Sequence, residues 1–145
     1  MTARRRAALQ VSLPYTVERA NQALPLVRRI AADLVREYAA WQAAVSRFEY
    51  AAARSSADAP DPEAEMAQRD VQRLATEIDG FLRELDALGL ECRAYDTGLI
   101  DFPGEIENRP VYLCWMLGEA AVEHWHDADA GFAGRQSLPS ELLAR

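Results

Sequence analysis

Apolar residues recur in alternating steps of three and four along the first half of the chain: Leu24, Val27, Ala31, Leu34, Tyr38, Trp41, Val45, Phe48 and Ala52. That spacing lines one face of a helix and has the form of an a/d seam sustained over four heptads. Thr16 is a good N-cap for a helix starting at Val17, while Pro25 removes a hydrogen bond and crowds the preceding turn. A short first helix, Val17–Leu24, with Pro25 in the first turn of the next, is therefore expected, with a kinked continuous helix as the alternative. The stretch "RSSADAPDP", Arg54 to Pro62, reads as a turn, with Asp61 as the next N-cap and Pro62 in the first helical position. A second seam follows at Ala67, Val71, Leu74, Ile78, Phe81, Leu85 and Leu88, and Gly89 stops it. Two long helices joined by a short loop run antiparallel, each roughly 35–45 Å long at about 1.5 Å per residue.

After Gly89 the period falls to two. Glu91–Asp96 and Leu99–Pro103 read as short strands around the turn Thr97–Gly98. Val111–Leu117 is apolar on both faces and reads as a central strand covered on both sides. The polar segment Gly104–Pro110 reads as a linker. Gly118 breaks the third strand, and Glu119–His126 reads as a helix of about two turns, followed by a loop with Gly131, Gly134 and Pro139. The predicted fold is α+β: a long antiparallel, coiled-coil-like helical hairpin packed on a small antiparallel sheet of two or three strands, with a short C-terminal helix and loop. The expected organisation is an arm over 1–14, then one domain over 15–145, divided into a hairpin (15–89), a meander (90–117) and a short helix with a glycine-containing loop (118–145). Trp125 and Phe132 are expected to supply the second layer over Val111–Leu117.

A chain of 145 residues is long enough to bury a real core. Its net charge of −7 argues against a nucleic-acid face, which needs clustered positive charge. The one basic run, Arg4–Arg6, lies in the expected arm. No apolar run approaches the ~20 residues of a membrane span, and no apolar stretch follows the N-terminal arginines as a secretory signal requires. Two cysteines, Cys92 and Cys114, are too few for a disulfide framework. A cytoplasmic, reduced protein is the expectation.

Four blocks carry a resemblance: "YTVERANQALPLVR" (Tyr15–Arg28), "GLIDFPG" (Gly98–Gly104), "VYLCWMLGE" (Val111–Glu119) and "WHDADAGFAGRQ" (Trp125–Gln136). Together, and in this order, they resemble the bacterial family of uncharacterised proteins designated DUF2203, from Tyr15 to about Leu138. The resemblance implies no activity. It implies a shared pattern that includes Asn21, Asp101, Tyr112, Cys114, Glu119, Trp125, His126 and Arg135, and leaves His124 and Cys92 outside it.

The candidate chemistry is crowded into Val111–Arg135. Glu119, His126, Asp127, Asp129 and Cys114 are ligand types for a divalent transition metal such as zinc, iron or manganese, and Glu119, His126 and Asp127 are the expected set. On a helix, Glu119 and His126 share a face two turns apart; on a strand, His124 and His126 share one. "DADAG" lacks the twelfth-position acid of an EF-hand loop. "GFAGR" offers glycines for close backbone approach and the Arg135 fork for a carboxylate or phosphate, with Trp115 and Trp125 as an apolar wall. Asp101 completes a candidate ligand set with Glu119, Trp125, His126 and Arg135. The competing reading makes the acids a solvated loop, Phe132 a core plug and Arg135 a partner of Glu119 or Asp101. Cys114 lies mid-strand among apolar neighbours, where a thiol is inert as a nucleophile. Two functions from different classes follow. One is an interaction module that self-associates or binds a partner protein through its hairpin. The other is a metal-binding protein or small metal-dependent enzyme with its site around Glu119, His126 and Arg135.

Overall fold

The computed structural model describes residues 13–143, so most of the expected arm, including Arg4–Arg6, lies outside the described residues. The first helix, α1 (Val17–Arg54), is continuous through Pro25, so the two-helix reading of this segment is corrected. Its 38 residues span about 57 Å, longer than expected because Pro25 does not divide it. Proline inside a helix costs about 3 kcal/mol. Leu24 and Val27, which flank it, are buried under the sheet, and each such burial contributes about 1.5–3 kcal/mol, enough to offset the cost. Thr16 caps the helix by accepting from the Arg19 amide at 3.1 Å. The second helix, α2 (Pro62–Ala87), starts at Asp61, whose carboxylate accepts from the Glu63 amide. It ends in a Schellman motif: Gly89 has φ 76°, the Leu90 amide donates to Leu85 O, and both leucines are buried.

The two helices pack on each other within one chain. Leu24, Val27, Ala31 and Leu34 are buried as the first seam requires, but beyond them the buried positions are Ala44 and Ala51, not Val45, Phe48 and Ala52. A straight α-helix drifts about 20° per heptad, which rotates the contact line off a seven-residue repeat. Small alanines then sit between the helices, while Tyr38, Trp41, Val45 and Phe48 lie half-buried beside them.

Five strands form one antiparallel sheet in sequential order: β1 (Glu91–Ala94), β2 (Leu99–Ile106), β3 (Arg109–Met116), β4 (His124–His126) and β5 (Gln136–Ser137). Two more strands form than the meander predicts. Gly104–Pro110 is no linker: β2 and β3 run through it to a tight turn at Glu107 and Asn108, with φ of 53° and 62°. Two successive positive φ values make the primed turn whose twist suits a hairpin. Gly104 is needed in mid-strand because a Cβ there would lie 2.9 Å from the Tyr15 carbonyl, where the incoming chain bridges to β2.

Glu119–His126 is not a helix either. Its backbone groups are taken by other elements before they can pair with each other. Trp115 Nε1 donates to the Glu119 carbonyl, Arg28 donates to the Ala120 carbonyl, and the Val122 amide donates to Asn21 Oδ1 at 2.8 Å. Tertiary bonds here outweigh the helix preference of Ala120 and Ala121, and the segment ends as β4. The short C-terminal helix, α3 (Ser140–Leu143), lies later in the chain. Asn21→Ala leaves the Val122 amide unpaired under the sheet and is expected to cost about 1–3 kcal/mol, read as a lowered midpoint in urea denaturation. An unchanged midpoint would show that this bond does not hold the segment.

Strand alternation sorts the crowded residues onto two faces. Ile100, Phe102, Val111, Leu113, Trp115 and Trp125 pack against the helices. The alternate positions Arg93, Asp101, Tyr112, Cys114, His124 and His126 share the opposite face. The loop after β4 and a 3-10 turn (Phe132–Gly134) run beside Asp101 and His126 on that face. Phe132 does not plug the core: it is 50% exposed. Trp125 joins the helix side, so neither residue supplies the expected second layer.

Candidate functional site

On the face away from the helices, two adjoining clusters form. In the first, Asp101 and His126 are buried, and their side chains meet at 3.0 Å between Oδ1 and Nε2. The β2–β3 register sets Asp101 opposite Cys114, and the β3–β4 register sets His126 opposite Tyr112, so three neighbouring strands each contribute one group. Donor atoms of Asp101, Cys114 and His126 lie within 4.8 Å of one another. Arg93, on β1, donates from Nε to Asp101 Oδ2 at 2.9 Å and sits over the Tyr112 ring. The Tyr112 ring also lies 5.4 Å from that of His126.

The His126 contacts carry chemical information. Nδ1 faces the Asp127 carbonyl at 2.8 Å, and Nε2 faces the Asp101 carboxylate. Carbonyl and carboxylate oxygens only accept. Against a carboxylate and a carbonyl, both contacts are satisfied together only when each ring nitrogen holds a proton, or when another cation replaces the proton on Nε2. Burial alone pushes the His126 pKa down, but the Asp127 carbonyl and Asp101 outweigh it and raise the group above 6.5. Burial pushes the Cys114 thiol up to about 11, and the Asp101 charge adds to this. A fully buried thiol held protonated is no nucleophile at neutral pH. A metal ion in the same place would ionise it.

The second cluster holds Glu119 and Arg135. The Glu119 carboxylate accepts from the Met116 amide at 2.7 Å and pairs with Arg135, whose guanidinium also reaches the Cys114 carbonyl. His124 Nδ1 lies 3.6 Å from Glu119 Oε2. Trp115, Trp125 and the pair Glu119–Arg135 thus accord with the core-and-partner reading of those residues.

Beside the first cluster is a cavity of about 240 Å³, walled by Arg93, Leu99, Asp129, Gly131 and Phe132, with Asp101 and His126 at its base. Asp127 turns its carboxylate towards Arg109, at 3.6 Å, and gives only its carbonyl to the cluster. The metal trio expected from the sequence, Glu119, His126 and Asp127, is not assembled. The trio the fold brings together is Asp101, Cys114 and His126.

Arg93 is the residue that sequence reasoning missed. Its signal lies in "LIDF": an acid buried on a strand between apolar residues needs a partner. Counting back across the Thr97–Gly98 turn reaches Glu91 and Arg93. The irregular register between Cys92 and Ala94 hides which of them is nearer.

Among the described residues, no helix is long and apolar enough to cross a membrane. No curated protein and no solved structure matches the chain. The model of the uncharacterised conserved protein family DUF2203 matches residues 14–138, most of the chain, and the chain belongs to that family.

Proposed function

We propose that this protein binds one divalent transition-metal ion through Asp101 Oδ1, Cys114 Sγ and His126 Nε2. The observation that carries the reading is the convergence of His126 Nε2 and Asp101 Oδ1 at 3.0 Å, two acceptors when a neutral imidazole keeps its proton on Nδ1 for the Asp127 carbonyl, with a Cys114 donor within 4.8 Å of both. Two of the ligands also have an outer partner: Arg93 on Asp101 and the Asp127 carbonyl on His126 Nδ1. Such partners fix ligand orientation in metal sites. Tetrahedral zinc, with bonds of about 2.0–2.3 Å, holds its donors about 3.3–3.8 Å apart, so Asp101 and His126 would part by a few tenths of an ångström. A thiolate and an imidazole favour zinc or iron(II) over manganese, which prefers oxygen. Three protein ligands leave a fourth position for an exchangeable molecule, the arrangement of a working site rather than a closed structural one.

The helical seams first suggest self-association. Leu34, Ala44, Ala51, Ala67 and Leu74 are buried within the single chain, so the seams alone require no second copy. That reading rests on the half-buried Tyr38, Trp41, Val45 and Phe48, and the buried cluster carries the metal reading further.

Elemental analysis by plasma mass spectrometry tests the proposal on untagged protein, beside His126→Ala and Cys114→Ser. About one zinc or iron per chain is expected in the native protein and much less in each variant, with circular dichroism reporting that the helices remain. Metal-free native protein that stays so after incubation with zinc would overturn the proposal.

A further inference from the structure

The cavity beside His126 is too small for the drug-sized ligands that fill about 300–1,000 Å³. Its walls are chemically uneven. Arg93 lines one side, and its side chain is 40% exposed. Nε is taken by Asp101 and Nη2 lies 3.2 Å from Glu91, while Nη1 has no partner among the described residues. Leu99 and the half-exposed ring of Phe132 give the cavity an apolar wall. Asp129, also in the lining, adds a negative charge.

From these walls we infer that the cavity receives a small carboxylate bearing one apolar group. The inference rests on the metal reading above. Arg93 and a metal ion would both be held by the Asp101 carboxylate, one on each oxygen, and so would stand side by side at the base of the cavity. A carboxylate matches that pair: one oxygen takes the open position on the ion, and the other accepts from Arg93 Nη1. The guanidinium fork suits such planar recognition. The apolar group lies along Leu99 and Phe132, where its burial adds affinity. Asp129 disfavours a dianion, which sets a monocarboxylate above phosphate. Ligand exchange at the ion needs no redox step and no co-reactant.

Cobalt(II)-loaded protein tests this, because the visible spectrum of the ion reports its fourth ligand. Benzoate is expected to change the spectrum saturably, acetate more weakly and phosphate least. Arg93→Gln is expected to weaken benzoate at least about tenfold, the scale of a lost charge-assisted hydrogen bond. Since Arg93 also holds Asp101, a second variant is needed that touches neither the ion nor Asp101. Phe132→Ala is that variant, and it should weaken benzoate while leaving acetate unchanged. Cobalt that binds but whose spectrum ignores benzoate would overturn the inference and leave the metal reading standing. Phosphate binding more tightly than benzoate would overturn it too, as would full benzoate affinity in both variants. Failure to take up cobalt at all would remove the metal reading, and this inference with it.

Discussion

Asp101→Asn is expected to be among the most destabilising single changes in the chain, at about 3–5 kcal/mol, the cost of leaving one member of a buried ion pair unmatched. Asp101 is fully buried and faces two cationic groups, His126 and Arg93, at 3.0 and 2.9 Å. The amide keeps the shape but cannot balance those charges. For a chain of this length, 1 kcal/mol moves the melting midpoint by about 2–4 °C, so a fall near 10 °C is expected in a calorimetric scan of metal-free protein. A double-mutant cycle with His126→Gln isolates the pair, and a coupling near zero would sink the assignment. The pH dependence has a definite sign. The folded pKa of His126 is raised, so the stability it contributes is fully present below the unfolded value of about 6.5. That stability is lost as pH rises through the folded value. The gap between native and Asp101→Asn proteins should therefore narrow in alkaline buffer.

The helical hairpin was legible because its signals are local and repeated. Seam, caps and stop are all within a few residues of where they act, and α2 begins and ends where Asp61, Pro62 and Gly89 indicate. Pro25 misled because its cost is local while the burial that offsets it, of Leu24 and Val27, comes from a sheet more than sixty residues away. Glu119–His126 misled for the same reason in reverse. Its alanines favour a helix, yet its carbonyl and amide partners are Arg28, Asn21 and Trp115, none of which the local pattern reveals. The candidate site was half legible. Asp101 stood out as a polar residue among apolar ones, and His126 as a ligand type in the crowded stretch. Their pairing depends on the register of three strands, one of which, β4, was read as helix. Reading His124 and His126 on a strand puts them on one face, and extending that face across β3 and β2 leads to Cys114 and Asp101. Glu119 then falls to a different cluster, where it holds Arg135.

Metal affinity should climb steeply with pH, and the steepness should change once. Coordination needs the His126 Nε2 lone pair and the Cys114 thiolate, and in the metal-free protein both positions carry protons at acid pH. Below the raised His126 pKa, each ion displaces two protons, so affinity should rise about 100-fold per pH unit. Above it only the thiol proton remains to be displaced, and the rise should slacken to about tenfold per unit until the Cys114 value of about 11. Competition for zinc against a chromophoric chelator, across the range where the fold holds, measures both slopes. Cys114→Ser separates the two protons, because a serine hydroxyl stays protonated as a weak ligand. Its affinity should be lower throughout and nearly flat with pH above the His126 transition. A native protein with one unbroken slope would remove His126 from the ligand set. A serine variant that kept the tenfold rise would remove Cys114, leaving Asp101 and His126 as an ion pair that needs only its proton.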